Sequence, residues 1–138
     1  MDKHTSPQWR VAGLVEAPVE TVWNGLLEAN GLTQIVNAAQ QRVIVTEHPY
    51  EGRTEIDLKT HTIMRQGHWW YRGVHSVEAH PRGSLIRYDV YNIAPGIGWW
   101  AAQLVQGAQH AREMKSSLET TLQSLGQRLG CRTQIVKG

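Results

Sequence analysis

Between Ile97 and Gly130 the apolar and small residues recur at steps of three and four: Trp100, Leu104, Ala108, Ala111, Met114, Leu118, Leu122, Leu125 and Leu129. That spacing keeps them on a single face of an α-helix. At 1.5 Å per residue the stripe predicts one helix roughly 50 Å long. Upstream, Trp9 to Glu16 alternates apolar and mixed residues and reads as a strand. Ala17-Pro18-Val19-Glu20 then predicts a helix start, because proline in the first turn loses no hydrogen bond and Glu20 favours the helix dipole. Val22, Trp23, Leu26 and Leu27 form its buried face, and Asn30-Gly31 ends it. Residues 32–41 fit either a loop or a second short helix. From Arg42 onward four strand-like runs are separated by His48-Pro49-Tyr50-Glu51-Gly52, by Gln66-Gly67 and by Pro81-Arg82-Gly83-Ser84.

The turns predict a register. A two-residue hairpin at Gln66-Gly67 sets Ile56, Leu58, Thr60, Thr62 and Met64 opposite Val77, His75, Gly73, Tyr71 and Trp69. A second at Arg82-Gly83 sets Val77, His75, Gly73 and Tyr71 opposite Tyr88, Val90, Asn92 and Ala94. A four-residue loop over 49–52 adds Val43 and Val45 beside Leu58 and Ile56. All three turns select one mainly apolar face. The other face collects Glu55, Asp57, Lys59, His61, Arg72, Glu78, Arg87 and Asp89, with Arg87 across from Glu78. Because a one-residue slip would invert the faces, this agreement supports the pairing. Ile44, Trp70 and Val74 are the apolar exceptions on the outer face.

The inner face is too polar for a dry core. Thr60, Thr62, Tyr71, His75, Tyr88 and Asn92 sit among its aliphatics, and each buried polar group without a partner costs about 1–3 kcal/mol. The helix stripe is also thin at Gly107, Ala108 and Ala111. A sheet wrapped around a long helix, with small residues above a polar floor, predicts a cavity and a bound guest. Residues 1–7 read as a loose terminus, 8–130 as one domain and 131–138 as a tail.

Composition narrows the classes. The chain has 138 residues and a net charge of +2, so no strong field points to nucleic acid or to an acidic membrane surface. No apolar run is long enough to cross a bilayer and none near the start resembles a signal peptide, so no stable membrane insertion is expected. The single cysteine, Cys131, excludes an internal disulfide and suits a reducing, cytoplasmic setting. Six Trp and four Tyr with no Phe favour half-wet pocket walls over dry cores, since both rings carry a polar atom that wants a partner.

The order of elements now carries a resemblance. A strand, then Ala17-Pro18-Val19-Glu20-Thr21-Val22-Trp23, then an antiparallel sheet and a long carboxy-terminal helix resembles the START-like or Bet v 1-like (SRPBCC) superfamily, including its polyketide cyclase/dehydrase branch. The resemblance spans Trp9 to Gly130. It implies an α+β helix-grip fold, a curved antiparallel sheet wrapped around the carboxy-terminal helix. It also implies an apolar small molecule held between sheet and helix, with chemistry added in some members.

Among single residues His75 is the leading candidate. Leu58 and Val90 as neighbours would keep it neutral and able to donate or accept. The plainer alternative is a core histidine bonded to a nearby Thr or Tyr. Tyr71 and Tyr88 could donate to a ligand carbonyl or an enolate, or could simply bond water as cavity walls. Asn92 could orient a ligand oxygen, or meet solvent at a strand end. Trp99 and Trp100, after Pro95-Gly96-Ile97-Gly98, could form a lid, or pack as an ordinary first helical turn.

Several chemistries are excluded. His61, His68, His75 and His80 lack metal-ligand spacing and fall on both faces, so no metal and no cofactor is implied. Gly96 and Gly98 lack the third glycine and the lysine of a phosphate loop. No Ser-His-Asp or Cys-His set assembles on the inner face, which argues against a hydrolase.

The resulting expectation is binding of a hydrophobic small molecule (a lipid, quinone or polyketide-like compound). Its predicted walls are Leu58, Thr60, Thr62, Met64, Trp69, Tyr71, His75, Tyr88, Val90, Asn92, Trp100, Leu104, Ala108 and Ala111. The rival is a cyclase or dehydratase with His75 as base and Tyr71 or Tyr88 as electrophilic partner. A third reading is an interaction module using Trp70, Val74 and Ile44, a patch that would also serve a homodimer.

Overall fold

A computed structural model describes residues 6–36, 42–47, 52–67 and 70–137, apart from the side chains of Arg42, Thr46, Glu47, Gln106 and Ala108. The elements are β1 (Trp9–Val15), α1 (Val19–Ala29), a 3-10 turn (Thr33–Ile35), β2 (Arg42–Glu47), β3 (Gly52–Asp57), β4 (Thr62–Gly67), β5 (Tyr71–His80), β6 (Gly83–Asn92), α2 (Ile97–Leu129) and β7 (Thr133–Val136). The architecture is α+β: one curved antiparallel sheet in the order β2-β3-β4-β5-β6-β1-β7, with a long carboxy-terminal helix. No helix among the described residues is long and apolar enough to cross a membrane.

α1 forms as its pattern dictates. Pro18 precedes it, Glu20 lies in its first turn, and Val22, Trp23, Leu26 and Leu27 are buried. It stops at Asn30, with Gly31 at φ +67°. The main core joins this face to Ile56, Ile63, Val77 and Ile86 of the sheet and to Leu118, Leu122 and Leu125 of α2. Burying each such side chain contributes about 1.5–3 kcal/mol. Residues 32–36 hold only the 3-10 turn, and 37–41 lie outside the described residues.

The sheet corrects the expected register in three places. The run expected to continue from Ile56 to Met64 is broken by a turn. Asp57 Oδ1 accepts from the backbone N–H groups of Lys59 and Thr60 at 3.0 and 3.2 Å, and His61 takes φ +54°. This side-chain-stabilised turn splits the run into β3 and β4. Ile56 then pairs with Ile63, and both are buried. β4 next pairs with β5 through Ile63 with His75, Arg65 with Gly73 and Gly67 with Tyr71. Gly67 therefore stays in the ladder instead of turning. The shift is odd, so β4 presents the opposite face from the one expected: Ile63 and Arg65 point to the concave side, while Thr62 and Met64 point away. Burying isoleucine in place of threonine is the physical reason.

The other two registers slip by two, which preserves the faces. β5 and β6 turn at Pro81-Arg82, placing His75 opposite Tyr88 and Gly73 opposite Val90. Val43 lies beside Ile56 and Val45 beside Thr54. Arg87 faces Ser76 yet still reaches Glu78 diagonally, at 2.8 Å. The expected tail, 131–138, contains β7, which pairs with β1.

The expectation of one continuous helix is also corrected. α2 leaves helical geometry at Gly107 (φ 32°, ψ −138°). Beyond the break Met114, Leu118, Leu122 and Leu125 are buried as expected. Before it the segment is rotated, so Trp99 and Ala102 are buried while Trp100 and Leu104 are 60% and 85% exposed. Trp70, expected on the outer face, joins Trp99, Ala102, Met114, Val90 and Tyr88 in a second core, with Trp9 and Tyr71 against it.

Gly83 tests the β5–β6 corner. Its φ is +136°, and a Cβ there would lie 2.5 Å from the carbonyl oxygen of Val15 and 2.7 Å from the amide of Ala17. Gly83→Ala should therefore destabilise the fold by about 2 kcal/mol or more, read as a lowered urea midpoint. An unchanged midpoint would mean that this corner tolerates a side chain.

Candidate functional site

β5 and β6 are ten-residue strands whose alternate residues face the concave side. At their centre they bring together three of the predicted residues. Tyr88 stacks on His75 with ring centroids 4.1 Å apart and planes 13° apart. The hydroxyls of Tyr71 and Tyr88 are 2.6 Å apart, a short hydrogen bond in which either could donate. Tyr71 reaches Tyr88 by folding over Gly73, whose missing side chain leaves the room: a Cβ at 73 would collide with the Tyr71 hydroxyl.

Burial sets the protonation of this group. His75 is desolvated and feels the positive charge of Arg65, so its pKa drops to about 4 and the ring is neutral at pH 7. Desolvation pushes both tyrosine pKa values up, with the Tyr88 bond adding to the effect at Tyr71. Both phenols thus keep their protons. One proton lies between the two oxygens, which leaves the other for a third acceptor.

Tyr71 connects this cluster to a cavity of about 650 Å³. Its walls are Leu32 and Ile35 after α1, Val45 of β2, Thr54 of β3, and Arg65 and Gly67 of β4. That size is in the range of small-molecule sites. Arg65 is the site residue that sequence reasoning missed. It becomes visible only when the Asp57 turn is recognised, because that turn decides which face β4 presents. Its Nη1 donates to Asn30 Oδ1 at 3.0 Å. Asn30 is held in turn by its own Nδ2, which donates to the Leu26 carbonyl at 2.8 Å.

The remaining predicted walls lie elsewhere. Thr60, Thr62 and Met64 line a groove on the convex face together with Val74 and Tyr91. Leu58 sits in the β3–β4 turn and borders a cleft with Trp23 and His61. His61, expected on the outer face, lies against Trp23 at 5.3 Å and bonds Glu20 at 2.8 Å. Val90 is buried in the second core. Asn92 is buried and occupied: its Nδ2 donates to the Trp99 carbonyl and to Gln103 Oε1, and its Oδ1 accepts from the Ala94 amide. It ties the start of α2 to β6 and has no donor left for a ligand. Trp100 and Leu104 face solvent because of the break at Gly107, and Ala111 is exposed beyond it. Trp69 and the side chain of Ala108 lie outside the described residues. Of the expected lid, Trp99 is packed inward.

Under the middle of α2, where the small residues predicted open space, rings fill it instead. His110 lies 4.9 Å from Trp9, 5.4 Å from Trp70 and 6.3 Å from Tyr71. Its Nε2 is buried with no hydrogen-bond partner among the described residues. Burial lowers its pKa, against the opposing pull of Glu113. The spacing His110, Met114, Leu118 places it on the buried stripe, a signal that the smaller Ala111 obscured.

These shifts make folding sensitive to acid. An unfolded chain takes up a proton at His75 near pH 6.5, whereas the folded chain does so only near 4. Stability should fall as pH drops from about 6.5 toward 4, by up to roughly 3 kcal/mol from His75, with His110 adding in the same direction. Urea denaturation at pH 7 and pH 4.5 measures the loss. His75→Gln should shrink it, and an equal loss in both proteins would contradict the assignment.

No family model and no curated protein matches the chain. Among solved structures, the crystal structure of TTHA0849 from Thermus thermophilus is similar at 14% sequence identity, with a TM-score of 0.49. The match covers 86% of this chain and 95% of that one.

Proposed function

We propose that this protein binds an apolar small molecule bearing a polar group, in the concave cavity beside Tyr71. In this reading the chain is a helix-grip protein of the START-like or Bet v 1-like kind, whose guest lies nearer the end of α1 than the middle of α2. The observation that carries it is the pairing of the Tyr71 and Tyr88 hydroxyls at the edge of a cavity walled by Leu32, Ile35 and Val45. Bonded to each other, the two phenols satisfy one donor and keep one proton for a further acceptor, which a polar guest at this edge would supply. Ordering is cheap, since Tyr71 is preset over Gly73.

A carrier or sensor is better supported than a cyclase or dehydratase. His75 is neutral, as a base must be, but it is stacked on Tyr88 and is not among the residues that line the cavity. A general base has to come within hydrogen-bond reach of the proton it removes.

Native mass spectrometry and thermal-shift assays with dodecan-1-ol, a short-chain quinone and an aromatic polyketide should each reveal the cavity. At least one should raise the melting temperature and ride with the protein into the gas phase. Thr54→Trp, which fills the space, should weaken that probe about tenfold or more, whereas Trp100→Ala at the exposed end of α2 should not. Silence from every probe, or equal binding by Thr54→Trp, would remove the proposal.

A further inference from the structure

The cavity has a charged end. Arg65 stands in the middle of β4, between Thr54 of β3 and Gly73 of β5, with its side chain on the concave side. Among the described residues it meets no countercharge there: its hydrogen-bond partner is the neutral Asn30, and none of the described residues that line the cavity carries a carboxylate. The other arginine at the rim, Arg53, is paired with Glu55 at 3.1 Å. A half-buried guanidinium facing apolar walls is costly unless an anion meets it. Asn30 makes the arrangement rigid. Both its backbone N–H and its side-chain Nδ2 donate to the Leu26 carbonyl, which leaves Oδ1 to hold one edge of the guanidinium. The remaining N–H groups form a preset planar fork.

Resting on the binding function proposed above, we infer that the guest is an amphipathic carboxylate. Its head group takes the free edge of Arg65 and a proton from the Tyr71–Tyr88 pair, and its apolar body lies along Leu32, Ile35 and Val45. A carboxylate suits the site because it is planar and accepts two parallel N–H bonds from one guanidinium. The tyrosine pair suits the same head group, since a phenol donates well to a charged oxygen. A neutral alcohol or quinone would fill the apolar part and leave the arginine unmet.

Dodecanoate and dodecan-1-ol share a tail and differ at the head, so they separate the two claims. Isothermal titration at pH 7.5, below the micelle range, should show dodecanoate binding about tenfold or more tightly than the alcohol, the range expected for hydrogen bonds between charged groups. Arg65→Gln should erase that preference, bringing the acid's affinity to that of the alcohol. Arg65→Lys keeps the charge without the fork and should fall between. It also serves if the glutamine variant misfolds, as judged by circular dichroism. Tyr71→Phe should weaken the acid about threefold to tenfold. Equal binding of acid and alcohol by the wild-type protein would overturn the head-group assignment, reduce Arg65 to a brace for the end of α1, and leave the cavity standing. Failure of both probes would overturn the carboxylate assignment, and silence from the quinone and the polyketide as well would overturn the cavity reading with it.

Discussion

The concave face depends on four residues between β3 and β4. Asp57 captures the amides of Lys59 and Thr60, His61 adopts a left-handed conformation, and the chain reverses. Side chains alternate along a strand, so this reversal decides whether β4 presents Thr62 and Met64 or Ile63 and Arg65 to the interior. It presents the latter. The same phase buries Ile63 next to Ile56. The interior therefore receives its charge through a turn, and that charge acts on every titratable ring near it: Tyr71, His75 and Tyr88 all feel Arg65.

The concave side is divided. Toward the break in α2 it is packed with rings, Trp9, Trp70, Trp99 and His110, and with Met114. Toward the end of α1 it is open, with aliphatic walls and glycine backbone. Tyr71 stands on the boundary. Its ring is part of the packed cluster, and its hydroxyl belongs to the polar pair. Tryptophan is suited to the filled end, because one ring occupies the width that two aliphatics would need in a domain of this size.

The break at Gly107 serves the same division. A continuous helix would carry Trp100 and Leu104 toward the sheet; the rotated segment brings Trp99 and Ala102 there. Asn92 fixes this choice. Its bonds to the Trp99 carbonyl and to Gln103 clamp the segment to β6, and Gln103 reaches on to Gln8 before β1. The polar residue that looked like a ligand contact is a bracket between a strand and a helix.

Much of the architecture is written in local patterns. The α1 segment, with its proline start and Asn-Gly stop, the strand periodicity of β1, β5 and β6, and the Met114–Leu125 stripe are all properties of neighbouring residues, and they survive in the structure. So does the meeting of Tyr71, His75 and Tyr88, because an error of two in register leaves faces unchanged. What only the tertiary structure decided is parity and rotation. Whether Arg65 or Met64 points inward hinges on one Asx turn, and whether Trp99 or Trp100 is buried hinges on one glycine. A single backbone reversal sets the phase of the strand that follows it, while the burial that selects that phase comes from residues far away in the chain.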